Sequence, residues 1–231
     1  MTLNFDPSAD FARAIDGAES VTLRRRGADP GSSGTIVAHA LRRALHTHQS
    51  QARSRQNTWK TVPSGGHYTA GDLVWHLPAE ELSEPPRPGD VIVDASNRRF
   101  TILEIREATL RSRWQCFARN LAVAYGLDDA VCILKAVYAK GDGGAAETTW
   151  RTWKTGVRAR IQPVAADATA ASGARQTIAR YQIFLEEDAA LDPTHLIRGP
   201  DGTFYKIQSA AGAGRIDELQ TVDAIQWSPA P

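Results

Sequence analysis

The sequence predicts a mainly β protein: two tandem small antiparallel β-barrel or sandwich domains, with one longer helix inserted in the first. Three observations predict it. Short apolar runs recur about every 8–12 residues between turn-forming clusters, as in meandering all-β folds. The opening run Ser20-Val21-Thr22-Leu23 has a counterpart in Ala130-Val131-Cys132-Ile133-Leu134. A polar turn leading into a Phe-centred run also occurs twice, as Asn97-Arg98-Arg99-Phe100-Thr101-Ile102 and as Asp201-Gly202-Thr203-Phe204-Tyr205-Lys206-Ile207. The copies lie roughly 100 positions apart, which suits one small domain and is too long for a solenoid repeat. The expected organisation is a leader with a short helix over 1–18, a first barrel over 19–125 and a second over 126–231. Duplication favours architecture and assembly over catalysis, because a catalytic constellation usually breaks the symmetry between halves.

In order along the chain, Ser8 or Asp10 can cap a short helix through Phe11 and Ile15 that Gly17 ends. Residues 20–25 form the first strand, and the loop Ala28-Asp29-Pro30-Gly31-Ser32-Ser33-Gly34 follows. Residues 35–56 carry a helical pattern, with Ile36, Ala40, Leu41, Ala44 and Leu45 on one stripe and Arg and His opposite. In 68–77 the alternation puts Leu73, Trp75 and Leu77 on one side of a strand and Val74 and His76 on the other. Glu84-Pro85-Pro86-Arg87-Pro88-Gly89-Asp90 excludes helix and makes a rigid turn. Strands follow at 91–94, 99–105 and 114–118, and 122–128 joins the domains. The second domain has a hairpin tip at Gly141-Asp142-Gly143-Gly144, then strands at 148–154 and 157–163. An Ala-rich stretch over 165–176 reads as a short helix or loop. Strands at 181–185, 194–198, 203–209 and 218–224 complete it.

The net charge of +1 gives no global push toward nucleic acid or membrane, but the charge is unevenly spread. Between Val21 and Lys60 there are eight basic residues, Arg24, Arg25, Arg26, Arg42, Arg43, Arg53, Arg55 and Lys60, against the single acid Asp29. Such an excess suits a phosphate backbone or an acidic protein surface, and equally a solvated basic face. Of the six tryptophans, Trp150 and Trp153 stand three apart and so face opposite ways in a strand. Whichever faces outward suits a subunit interface, where Trp is enriched. Cys116 and Cys132 sit in apolar strands and read as buried free thiols of a reducing compartment, with a disulfide between them as the alternative. The first residues show no basic start with an apolar run behind it, so no signal peptide is expected, and no stretch is long and apolar enough for a spanning helix.

No catalytic, cofactor or metal site emerges. His46 and His48, two apart, point to different sides of a helix; His39 and His46 share a face without a Cys or carboxylate beside them. The glycines at 141–144 precede a strand and not a helix, which is wrong for a nucleotide site. No nucleophile elbow or phosphate loop is present.

From Ala130 to Ala224 the chain resembles the head–tail joining (adaptor or stopper) proteins of tailed bacteriophages. The resemblance is carried by an ordered series. Glu147-Thr148-Thr149-Trp150 comes first, then Val157-Arg158-Ala159-Arg160-Ile161-Gln162-Pro163 and a helix-like segment ending in Arg180-Tyr181. Leu191-Asp192-Pro193 follows, then Ile197-Arg198-Gly199 leading to Gly202-Thr203-Phe204-Tyr205-Lys206-Ile207, and Arg215 with Glu218-Leu219. The first domain matches only in its opening strand and its Pro88-to-Ile105 return, and departs by the basic insertion.

The resemblance implies a non-enzymatic, cofactor-free β-barrel of the virion neck. It would be made in the bacterial host cytoplasm and assemble with itself as a ring between portal and tail. Its partners would be portal, adaptor and tail proteins, with packaged DNA passing through the channel and no membrane contact. Edge strands and long loops would pair with neighbouring subunits. A fused pair of barrels lets each chain fill two positions of the ring. A tail-completion or terminator protein, a nucleic-acid-binding β-barrel module, and an enzyme whose polar residues meet only in three dimensions remain alternatives.

Overall fold

The computed structural model describes residues 17–26, 33–44, 71–140, 146–171, 174–187 and 189–228. The chain divides into two compact units, Met1–Ala124 with Arg215–Asp217, and Tyr125–Gly214 with Glu218–Pro231.

The first barrel contains β1 (Glu19–Arg24), β2 (Thr35–Ala44), β3 (Leu73–Pro78), β4 (Val91–Val93), β5 (Arg99–Glu107) and β6 (Arg113–Arg119). Alternation turns Val21 and Leu23, Trp75 and Leu77, Ile92, Phe100 and Ile102, and Cys116 and Ala118 into one core. The second contains β7 (Asp129–Lys140), β8 (Ala146–Ala171), β9 (Ala174–Leu185), β10 (His195–Arg198), β11 (Phe204–Ala211) and β12 (Gln220–Trp227). Its core is Val131 and Ile133, Val157 and Ala159, Ile183 and Leu185, Ile197, Tyr205 and Ile207, and Val222 and Ala224.

Both barrels close. The strand circuits are β1-β2-β3-β6-β5-β4 and β7-β8-β9-β12-β11-β10, so each strand of the first has a counterpart six places later in the second. The likeness extends to irregularities. A five-residue turn joins β4 to β5 and another joins β10 to β11, each with left-handed backbone at its fourth residue, Asn97 (φ 58) and Gly202 (φ 84). In β5 the register slips between Ile102 and Glu104, and in β11 between Ile207 and Ser209. Each bulge directly follows an inward-facing isoleucine, and bulges at matching places mark a shared plan.

This geometry shifts the internal repeat by one residue. Ile92 pairs with Phe100, and Ile197 pairs with Tyr205. Phe100 therefore corresponds to Tyr205, not to Phe204. A one-residue change of register moves a side chain to the other face: Tyr205 is buried in its own core as Phe100 is in the first, while Phe204 is only half-buried.

Residues 35–44 are strand, not the start of a long helix; 45–56 lie outside the described residues, as do 1–16. The helical spacing arises from a bulge. Val21 pairs with Val37 but Glu19 with Ala40, so Ala38 and His39 fill a step that needs one residue. Val37 and Ala40, three apart, then both point inward. The bulge is held from outside the strand: Ala38 N–H donates to Glu81 Oε2 at 2.5 Å, and His39 Nδ1 lies 2.6 Å from Glu81 Oε1.

The Ala-rich stretch is strand as well. Ala165 pairs with Arg180 and Ala171 with Ala174, because the ladder begun at Ala159 continues and outweighs alanine's helical preference. The helix-like segment before Arg180-Tyr181 is therefore part of β9. Beyond Arg180, β9 leaves β12, and 165–171 pair only with 174–180. The helix inside the joining segment is α1 (Leu121–Tyr125), five residues long. Asn120 caps it by accepting from Val123 N–H at 3.0 Å, and Gly126 ends it with φ 61.

Closure also alters the assembly expectation. β1 pairs with both β2 and β4, and β10 with both β7 and β11. Within the closed walls each strand has neighbours on both sides, so among the described residues bare edges remain on the two ribbons that run past the walls, 136–140 with 146–150 and 165–171 with 174–180.

Candidate interaction surfaces

The basic segment separates into residues the fold uses and residues it presents. Arg25 belongs to the first kind. Its Nη1 donates to Asp90 Oδ2 at 2.7 Å and to the Pro85 carbonyl at 2.8 Å, and its Nη2 to the Glu84 carbonyl at 3.1 Å. Asp90 is buried and also accepts from the N–H groups of Arg26 and Arg87. The end of β1 is thereby tied to the proline-rich turn.

Arg42 is spent similarly. It stands opposite Trp75 across the β2–β3 ladder, with its guanidinium 5.7 Å above the indole. It lies 3.5 Å from Glu19 and from the buried Asp94, which Arg98 also holds at 2.7 Å. Arg24 is half-buried, while Arg26 and Arg43 are exposed; Arg53, Arg55 and Lys60 lie outside the described residues. Sequence reasoning missed Asp90 and Asp94, which flank β4, distant in sequence but paired with β1, and absorb part of the basic excess.

Arg43 and Arg113 both act on His76, on the outer face of β3. Burial first, then Arg113, then Arg43, push this imidazole down from 6.5 to about 4. His76 is therefore neutral at pH 7. The unfolded chain takes up the proton near 6.5 and the folded chain only near 4. The contribution to stability is thus full above about 6.5 and is lost as pH falls toward 4. We expect the His76 ring resonances to titrate near 4, with unfolding midpoints falling across that window in the parent and less in His76→Gln. A ring titrating near 6.5 would refute this.

Trp150 and Trp153 face different surroundings, and neither enters the core. Trp150, on β8, meets Trp227 edge-on at 6.1 Å, and Trp227 meets Phe204 at 6.3 Å. All three are half-buried, a continuous aromatic patch drawn from β8, β11 and β12. Trp153 is 36% exposed, its ring 5.1 Å from that of the buried His195, with Lys154 Nζ 5.0 Å from its centre.

Cys116 and Cys132 are free thiols, buried and half-buried. Burial, with Asp90 nearby, raises the Cys116 thiol far above its ordinary value and keeps it protonated. Among the described residues no three His, Cys, Asp or Glu side chains gather as metal ligands, and no helix is long and apolar enough to cross a membrane.

No family model matches the chain, and no curated protein matches it. Among solved structures, a chain from the virion of a native gene transfer agent (GTA) particle is similar over 44% of this chain and 94% of its own length, at 16% identity and a TM-score of 0.35.

Proposed function

We propose that this chain is a structural protein of a phage or phage-derived particle and forms part of the head–tail connector ring between portal and tail. The observation that supports this most is the ordered run of head–tail-joining motifs, which falls on one closed barrel whose strand circuit the other half repeats. Each chain then supplies two barrel positions, so a ring of few chains presents twice as many modules. With the barrel walls closed, contacts between chains fall to loops, to the β8–β9 ribbon and to the Trp150–Trp227–Phe204 patch. The exposed Arg26 and Arg43 face packaged DNA or an acidic portal surface.

The test is to delete the gene and to locate a tagged chain in particles by labelled imaging. Filled heads that fail to hold tails, with label only at the tail-bearing vertex, are expected. Normal tailed particles without the gene, or label along the tail, would overturn the reading.

A further inference from the structure

On β7 and β8 two cations stand directly across the ladder from each other. Lys135 pairs with Arg151 in antiparallel register, and both are exposed. Opposed side chains in such a ladder have Cβ atoms about 4.5–5.5 Å apart, and like charges placed so are destabilising. Among the described residues neither has a carboxylate within ion-pair distance. The fold gains nothing visible from this arrangement.

The surroundings share its sign. β7 and residues 146–164 of β8 hold six basic residues, Lys135, Lys140, Arg151, Lys154, Arg158 and Arg160, against two acids, Asp129 and Glu147. Two of the six are occupied. Lys154 pairs with Glu187 at 2.8 Å, and Arg160 donates to the Tyr125 carbonyl at 3.0 Å while lying over Phe184. Lys135 is also the last β7 residue with a β10 partner, His195. From there the two-stranded arm runs on past β10, with Val137 opposite Thr149 as the next pair on the same face.

We propose that Lys135 and Arg151 form a phosphate-contact site through which the β7–β8 arm binds the backbone of duplex DNA. One phosphate can accept from the ammonium and the guanidinium fork together, which turns a repulsive pair into a chelating one. The excess of one sign decides the partner. Protein interfaces fix their register with charges of both signs, whereas a polyphosphate backbone is held by positive charge alone whatever its base sequence. Stacking of unpaired bases is disfavoured, because the Trp153 ring already carries His195 and Lys154 against it. This site lies on the second barrel, apart from the basic segment of the first, and does not depend on the connector reading.

The test uses the full chain and a short mixed-sequence duplex, with affinity followed by fluorescence anisotropy between about 50 and 200 mM salt. Replacing both residues, Lys135→Gln with Arg151→Gln, removes one shared phosphate contact and should lower the log–log salt slope by about 1 and weaken low-salt binding on the order of tenfold. The charge-preserving exchange Lys135→Arg with Arg151→Lys should keep the slope. Thermal midpoints of the Gln variants should equal or exceed the parent's, since a repulsion is removed. An unchanged slope in the folded double variant overturns the site. So does loss of binding to poly-glutamate with DNA binding intact, which would reassign the pair to a protein partner. Particle imaging reads the connector role separately, so the two ideas fail independently.

Discussion

Trp75→Ala should cost the first barrel about 3–5 kcal/mol, the range for deleting a fully buried Trp or Phe. Trp75 is 0% exposed and the largest fully buried side chain of that core, with Phe100 against it edge-on at 5.5 Å. The strands on either side of the wall, β2 and β6, place Arg42 and Cys116 opposite it. Its loss would open a hole that short strands locked in a closed ladder cannot collapse to fill. Arg42 would lose the ring it covers as well. Total stability for a domain is typically about 5–15 kcal/mol, so the barrel should be near its limit. The measurement is native-state hydrogen exchange at Ile92, Ile102 and Ala118 together with urea unfolding. Trp75→Phe should cost clearly less, because it keeps an aromatic ring and removes an indole N–H that has no hydrogen-bond partner among the described residues. A Trp75→Ala protein within about 1 kcal/mol of the parent would show that the core is not built on this side chain.

The second large effect is expected at Arg119. Its Nε and Nη2 donate to the two oxygens of Asp72, each at 2.8 Å, and Asp72 is 0% exposed. Nη1 lies 3.6 Å from the buried Asp217, which Arg215 also holds through two 3.1 Å bonds. Arg119→Ala would leave the Asp72 carboxylate buried without its fork. Breaking a buried pair from one side typically costs about 3–5 kcal/mol. The informative comparison is the double replacement Asp72→Leu with Arg119→Met, which should recover most of the loss, since apolar residues of similar volume often replace a buried ion pair without penalty. A double-mutant cycle on unfolding midpoints gives the coupling directly. If the single variant is neutral, or the double is worse than the single, the pair does not bear on stability as argued.

Much of the fold was legible because strand alternation and turn chemistry are local signals. Trp75 and Leu77 inward, the rigid turn at 84–90 and the two polar turns before β5 and β11 all follow from neighbouring residues. The errors came where a non-local contact changed the local rule. The β2 bulge, held by Glu81, gives Val37 and Ala40 the three-residue spacing of a helix. The Ala-rich ends of β8 and β9 are strand only because they pair with each other. The repeat was found one residue out of step, since Phe204 imitates Phe100 in sequence while Tyr205 takes its place in the core. The candidate surfaces were less legible for the same reason. Nothing near Arg25 or Arg42 in the sequence announces Asp90 or Asp94, and the opposition of Lys135 to Arg151 exists only once β7 and β8 are in register.

A hydrogen-bond circuit that returns to its own start makes each barrel indifferent to how much polypeptide travels between consecutive strands at its rim. β8 and β9 are joined through only residues 172–173, whereas residues 45–72 separate β2 from β3. Each doubling of such a connection adds only about 0.6 kcal/mol of closure entropy. Lineages can therefore lengthen, shorten or exchange these rim segments freely, and acquire new attachments, without renegotiating the wall that carries them.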